Sequence, residues 1–269
     1  MKAPSFAYAR PRALAEALEL LARHGEAARV LAGGQSLIPS LNMRLSAPAL
    51  LVDINGLAEL KGIKAGKDTI GIGALTTHAE IERSEVVRQH LPLLAEAVGH
   101  VAHPAIRNRG TIGGSLALAD PAAEYPACVL ALDATLVVTG GKGDRRVKAA
   151  DFFKGLFETA LEPGELLAAV EFRMPGKDER SAFFELARRH GDYAIVGLAA
   201  FAGNGTKRFA YFGAADRAVL AHNAAKAKDL ESAKAVLAKD LQPPADLYHS
   251  SETKLHLARV LLERAWTKL

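Results

Sequence analysis

Cysteine is nearly absent: Cys128 is the only one in 269 residues. That excludes an internal disulfide and any iron–sulfur cluster held by four cysteines of this chain, so such a cluster must come from a partner. Long apolar runs are missing too. None approaches the roughly 20 residues that cross a bilayer, and the opening Met1-Lys2-Ala3-Pro4-Ser5-Phe6 lacks the apolar stretch of a secretion signal. A cytoplasmic protein without a membrane span is expected. Aromatics make up only 6%, and the basic residues behind the net charge of +4 are scattered, which argues against a nucleic-acid partner.

Several catalytic signatures are also lacking. There is no H-E-x-x-H, and His100 and His103 have no further ligands near them in sequence, so no metal site is expected. G-x-S-x-G fails at Ser36, where Ile38 takes the last glycine position, and at Ser115, where Ala117 does. No G-x-G-x-x-G is present, which excludes a conventional NAD-binding turn. No catalytic side chain is therefore named.

What is present suits a compact protein with a sizeable core: 49% hydrophobic and 24% charged residues, with a mean hydropathy of +0.06. A helical pattern follows Pro11, with Leu14, Leu18 and Leu21 on one face and Gly25 as its stop. Strand patterns cover Ala28 to Ala32, Leu50 to Ile54, the β-rich stretch Ile63 to Thr77, Thr135 to Thr139 and Leu166 to Arg173. Helical patterns run from Ala79 to Val98 and from Ala122 to Leu132, with a loop at His103 to Arg109 between them. Lys142 to Lys148 reads as a solvated hairpin tip, and Asp151 to Phe157 as a short amphipathic piece. Met174-Pro175-Gly176-Lys177 marks a boundary. Beyond it come paired strands at Ala194 to Ala202 and Lys207 to Phe212, then helices at Ala221 to Asp240 and Glu252 to Lys268.

Two segments carry chemistry. Gly33-Gly34-Gln35-Ser36 follows a strand, and Gly113-Gly114-Ser115 precedes the helical pattern at Ala122 to Leu132. Glycine pairs let backbone approach a ligand closely and converge N–H groups on an anion, and the hydroxyls beside them add donors. Either pair alone reads first as a tight turn; two built alike suit a diphosphate.

The segments Leu31-Ala32-Gly33-Gly34-Gln35-Ser36-Leu37-Ile38-Pro39 and Arg107-Asn108-Arg109-Gly110-Thr111-Ile112-Gly113-Gly114-Ser115 closely resemble the medium, FAD-binding subunit of the carbon monoxide dehydrogenase and xanthine dehydrogenase family of molybdenum hydroxylases. The likeness continues through Asn42-Met43-Arg44-Leu45, Ala119 to Glu124, Asp151-Phe152-Phe153 and Ala187 to Val196, and weakens after about Gly213. It implies an α+β fold: an FAD-binding domain of the PCMH or vanillyl-alcohol-oxidase type over 1–176, with subdomains of about 1–56 and 57–176, and a small α+β C-terminal domain over 177–269. By the same resemblance Ala32, Gly33, Gly34, Gln35 and Ser36, with Thr111, Ile112, Gly113, Gly114 and Ser115, hold the FAD diphosphate through backbone N–H groups and hydroxyls. Val101 lies near the adenine. Glu124, where relatives usually carry aspartate, reaches the ribityl chain, and Tyr193 covers the flavin ring. Arg107 and Arg109 either add charge near the diphosphate or brace their loop, and Asp192 reads as a turn residue.

The resemblance further implies partners: a large molybdopterin-binding subunit that oxidises the substrate and a small subunit with two [2Fe-2S] clusters, assembled as a dimer of heterotrimers. The flavin then passes electrons to NAD, a quinone or oxygen. The single cysteine argues against the benzoyl-CoA reductase branch, which keeps an extra cluster in this subunit. A self-sufficient FAD oxidase and a non-catalytic assembly subunit are the alternatives. The first needs a substrate domain that the short region after Pro175 does not readily provide, and the second rests on the stripe Leu255, Ala258, Leu262, Ala265.

Overall fold

The structure, a computed structural model, describes residues 2–269. It begins with a three-stranded parallel sheet of β1 (Ala7–Ala9), β2 (Ala28–Leu31) and β3 (Leu50–Asp53) in the order β1-β3-β2. All four residues of the central strand are buried, as expected where both faces of a parallel sheet are covered. Helix Leu14–His24 buries Ala17 and Leu21 against this sheet and stops at Gly25, whose φ of 51° suits glycine.

Next comes a five-stranded antiparallel sheet built from β4 (Ile63–Ala65), β5 (Thr69–Gly73), β6 (Thr135–Gly140), β7 (Gly143–Lys148) and, after the small hairpin β8 (Phe153–Gly155) and β9 (Glu158–Thr159), β10 (Leu166–Arg173); its order is β4-β5-β10-β6-β7. Most of the basic Lys142 to Lys148 stretch is edge strand rather than hairpin tip. Arg145 and Arg146 pair with Glu165 and Glu171, and charge on an exposed edge discourages strand addition.

The third sheet is an antiparallel meander of β11 (Arg180–Leu186), β12 (Val196–Gly203), β13 (Thr206–Phe212) and β14 (Val219–Leu220). Its period of two serves two cores. Val196, Leu198 and Ala200 face the C-terminal helices, while Ala199 and Phe201 face the central core. Helix Glu124–Ala131, buried at every position from Tyr125 to Ala131, lies between this sheet and the central core.

Several elements differ from the sequence reading. The pattern over 79–98 is three helices, His78–Arg83, Glu85–His90 and Pro92–Val98, because Ser84 ends one and caps the next and Pro92 cannot continue the second. The loop at 103–109 contains the short helix Pro104–Arg107. The stretch 221–240 breaks into His222–Ala225 and Leu230–Val236, the second capped by Asp229. The stretch 151–157 divides between helix Ala149–Phe152 and β8. β11 escapes the sequence reading because its two faces are both partly apolar, Phe183 toward the central core and Phe184 toward the helices, so no alternation marks it. Among the described residues no helix is long and apolar enough to cross a membrane, and no group of three or more His, Cys, Asp or Glu is disposed to hold a metal ion.

Candidate cofactor site

The first glycine turn crosses the backbone that leads into the second. A Cβ on Gly33 would lie 2.3 Å from the Arg109 carbonyl oxygen and 2.7 Å from Gly110 Cα, so only glycine fits at this crossing. Gly34 follows with φ +73°, the left-handed conformation that reverses the chain into helix Leu37–Asn42. The carbonyls of the first turn are held from within: Asn55 Nδ2 donates to Ala32 O at 2.8 Å, and Gln35 Nε2 donates to Gly33 O at 3.0 Å. Asn55 is itself fixed by Asp53 Oδ1 at 2.7 Å, and Tyr8 donates to the other Asp53 oxygen. No backbone carbonyl among the described residues accepts from the N–H groups of Gly33, Gly34, Gln35 or Ser36. Four successive donors are thus left for an anion.

The second turn contributes differently from expectation. Its backbone donors are engaged internally: Ile112 N–H donates to Thr76 O at 3.0 Å, Gly113 N–H to Ala74 O at 2.9 Å and Ser115 N–H to Thr111 O at 3.1 Å. Gly114 N–H donates to the Thr111 hydroxyl at 3.1 Å. Gly113 serves packing, since a Cβ there would fall 2.4 Å from Ala74 Cβ, and Ile112 is fully buried. What this turn leaves available is chiefly the Ser115 hydroxyl, which makes no side-chain hydrogen bond among the described residues; the Thr111 hydroxyl accepts from Gly114 and keeps its own proton to donate, on a side chain only 3% exposed. Ser36, in the first turn, is exposed and likewise without one.

Arg107 and Arg109 separate cleanly. Arg107 braces its loop, pairing with Glu82 at 3.1 Å and donating to the carbonyls of Val101 and Ala102. Arg109 is exposed, its carbonyl is the atom against Gly33, and its side chain has no hydrogen-bond or ion-pair partner among the described residues.

A second cluster is acidic. The Gly191 backbone, at φ +82°, presses on Ala102, where a Cβ would meet the Ala102 carbonyl oxygen at 2.5 Å. Val101, 9% exposed, therefore sits behind the loop that carries Tyr193, itself 73% exposed. Asp192 makes the expected turn, its N–H donating to Arg189 O, and pairs with Arg188 at 3.8 Å. Burial, reinforced by the Asp120 carboxylate, raises the pKa of Glu124 to about 7. Burial and then Glu124 raise that of Glu185 to about 8. Asp120 is raised by burial, and Tyr193, though its ring is largely exposed, is shifted upward by partial desolvation of the phenol and then by the Asp120 and Glu124 carboxylates. Glu185 and the Asp53–Asn55 brace were not singled out in the sequence, and His100 was considered there only as a metal ligand. The available signals were a carboxylate inside the apolar run Phe183-Phe184-Glu185-Leu186 and the Asn55-Gly56 turn.

The arrangement is polarised. Unengaged N–H groups and hydroxyls gather at this crossing, a place for phosphate oxygens, whereas carboxyls accept from hydroxyl or ring N–H groups and repel anions. These donors, acceptors and the glycine-only crossing fit a dinucleotide cofactor.

Residues 4–175 match the family described as the FAD binding domain in molybdopterin dehydrogenase. The chain is 39% identical to the 6-hydroxypseudooxynicotine dehydrogenase complex subunit alpha of Paenarthrobacter nicotinovorans, over 100% of this chain and 95% of that one. Among solved structures, a carbon monoxide dehydrogenase from Hydrogenophaga pseudoflava superposes with a TM-score of 0.95 at 35% identity, covering 100% of this chain and 98% of its own. Quinoline 2-oxidoreductase from Pseudomonas putida superposes with a TM-score of 0.91 at 38% identity and the same coverage. With a family match over most of its length and relatives aligned end to end, the chain belongs to the FAD-binding subunits of the molybdenum hydroxylases, and its cofactor is FAD.

Proposed function

We propose that this chain is the electron outlet of a multi-subunit molybdenum hydroxylase, receiving electrons from a small [2Fe-2S] subunit and delivering them to NAD, a quinone or oxygen. A large molybdopterin-binding subunit selects and oxidises the substrate, and the assembly is a dimer of heterotrimers. Bound FAD supplies the ability to take up electrons singly and release them in pairs. The naming of a similar protein as one subunit of a dehydrogenase complex supports this reading.

Within it, residues 1–176 hold the cofactor in two subdomains and 177–269 close over it. Ala32, Gly33, Gly34, Gln35 and Ser36 give backbone N–H groups to the diphosphate. Thr111 and Ser115 add hydroxyls, while Ile112, Gly113 and Gly114 fix those hydroxyls in place. Glu124 accepts from the ribityl chain, where its extra methylene relative to aspartate extends the reach. Tyr193 covers the ring, and Val101 lies near the adenine. The carrying observation is the crossing of the first glycine turn over the backbone that leads into the second, which leaves successive N–H groups unengaged.

The test is an absorption spectrum of the purified chain before and after adding FAD, with acid-released flavin identified by chromatography and activity assayed with and without partner subunits. A flavin spectrum with FAD released, and turnover only in the assembled complex, is the expected result. Absence of flavin after reconstitution, or turnover by the lone chain, overturns it.

A further inference from the structure

Arg208 carries a charge that the surrounding carboxylates leave unmatched. It stands directly opposite Phe201 across the β12–β13 pair, on the face turned toward the central core, with its guanidinium carbon 4.5 Å from the centre of the Phe201 ring. Nε donates to the Ala131 carbonyl at 2.6 Å, which pins the plane of the group at the end of helix Glu124–Ala131. Among the described residues its terminal nitrogens have no hydrogen-bond acceptor, and no carboxylate lies within ion-pair distance of it. Burial pulls its pKa down, and the attraction of Asp133 offsets this only in part. A guanidinium taken half out of water without a carboxylate is costly, and an anion relieves that cost.

Arg208 lines a recess of about 250 Å³, formed where the starts of β5 and β6, the end of β10 and the β12–β13 turn come together. The other charges on and behind its wall cancel in pairs. Lys148 holds Asp133 at 3.3 Å, and Arg146 holds Glu171 through two hydrogen bonds of 3.0 Å. Arg173 holds Glu179, which also accepts from Asn204 at 2.9 Å. One positive charge remains. The hydroxyls of Thr69, Thr135 and Thr206 reach the same recess, none with a hydrogen bond to protein among the described residues, and Leu132 and Phe201 give it an apolar wall. These features select a ligand class. The edge of a guanidinium matches the two oxygens of a carboxylate. A single unmatched charge suits a monoanion, whereas a phosphate dianion meets Asp133 and Glu171 at close range. The volume, below the roughly 300–1,000 Å³ of pockets for larger ligands, admits only a small molecule.

We propose that this recess binds a small organic monocarboxylate, its two oxygens on the terminal nitrogens of Arg208, with threonine hydroxyls donating to them and its apolar body against Leu132 and Phe201. The site is distinct from the cofactor site. Thr69 on its wall and Ala74, on which Gly113 packs, are five residues apart along one extended run, about 17 Å. The two are nevertheless joined through one element. Arg208 already holds the Ala131 carbonyl, so an occupant fixes the far end of the helix that begins at Glu124.

The test uses the full chain loaded with FAD, with benzoate and butyrate as probes, benzamide as the neutral isostere and inorganic phosphate as the competing anion. Binding is read by isothermal titration calorimetry and by the rise in unfolding temperature that a ligand of the folded state produces. Both carboxylates are expected to bind the wild type and raise that temperature, and benzamide and phosphate at equal concentration to do neither. Arg208→Gln, which keeps a donor for the Ala131 carbonyl but not the charge, is expected to bind benzoate about tenfold to a hundredfold more weakly. Arg208→Lys keeps the charge without the two-pronged edge, and Thr135→Val leaves Arg208 untouched; each is expected to weaken binding by up to about tenfold, and they decide the matter if R208Q does not fold. The proposal is overturned if neither carboxylate binds the wild type, or if benzamide or phosphate binds as tightly as benzoate. Undiminished benzoate binding in folded R208Q, or in R208K and T135V together, overturns it as well.

Discussion

Gly33 shows what a single missing side chain can decide. The atoms an added Cβ would strike, Arg109 O and Gly110 Cα, are backbone, so relief requires the two turns to move apart. Overpacking of this kind costs about 1–3 kcal/mol, and any separation also draws the N–H groups of the first turn away from the Thr111 and Ser115 hydroxyls. Gly33→Ala is expected to remain folded and to bind FAD about tenfold to a hundredfold more weakly, measured by quenching of flavin fluorescence. Gly141→Ala, where no atom lies within 4 Å of the added Cβ, is the control and should bind as the wild type does. Equal affinity in both variants would mean that the crossing does not shape the site. The sequence makes the glycine pair visible as a ligand-approach motif. What Gly33 opposes is invisible there, because Arg109 is remote in sequence and only the folded sheets bring its carbonyl into register.

At the scale of elements, the second turn depends on a clip between Thr76 to His78 and Gly110 to Ile112. Thr77 bridges Thr111, His78 N–H donates to Gly110 O at 2.9 Å, and Ile112 N–H returns to Thr76 O at 3.0 Å. The same Thr77 caps helix His78–Arg83 in a reciprocal box, its hydroxyl accepting from Glu80 N–H at 3.2 Å and its N–H donating to the Glu80 carboxylate at 2.7 Å. Thr77→Ala removes one half of that box and is expected to lower stability by about 1 kcal/mol in urea denaturation, with Thr77→Ser recovering most of it. No loss in T77A would show that the cap contributes nothing beyond the clip. The box Thr77-His78-Ala79-Glu80 is legible in the sequence, as are the apolar periods behind it. The breaks are harder to see: Ser84 and Pro92 interrupt a run whose apolar spacing continues across them, so periodicity alone joins three helices into one. β11 fails for the opposite reason, since a strand partly apolar on both faces has no period to show. Glu185 lies on that strand, which is why the acidic cluster was only half visible.

At the scale of the whole molecule, the boundary read at Met174 to Lys177 divides the chain but not its core. The central cluster combines Ile70, Leu136, Val170 and Phe172 with Phe183, Ala199, Phe201, Ala210 and Phe212 from beyond that boundary. The stretch matched by the family, 4–175, therefore ends where the chain changes sheets while the packing continues. Burying a phenylalanine is worth about 1.5–3 kcal/mol, so Phe183, Phe201 and Phe212 together approach the roughly 5–15 kcal/mol that holds a typical domain folded. Helix Glu124–Ala131 would lose the β12 and β13 cover over its buried face. A chain ending at residue 176 is accordingly expected to be unfolded or aggregated at ordinary temperature, and the full chain to unfold in a single calorimetric transition. If the truncated chain instead folded and took up FAD, the C-terminal sheet would be a cover added to a self-standing cofactor domain. Tyr193, on the loop between β11 and β12, would then be the part of the assigned site that truncation removes.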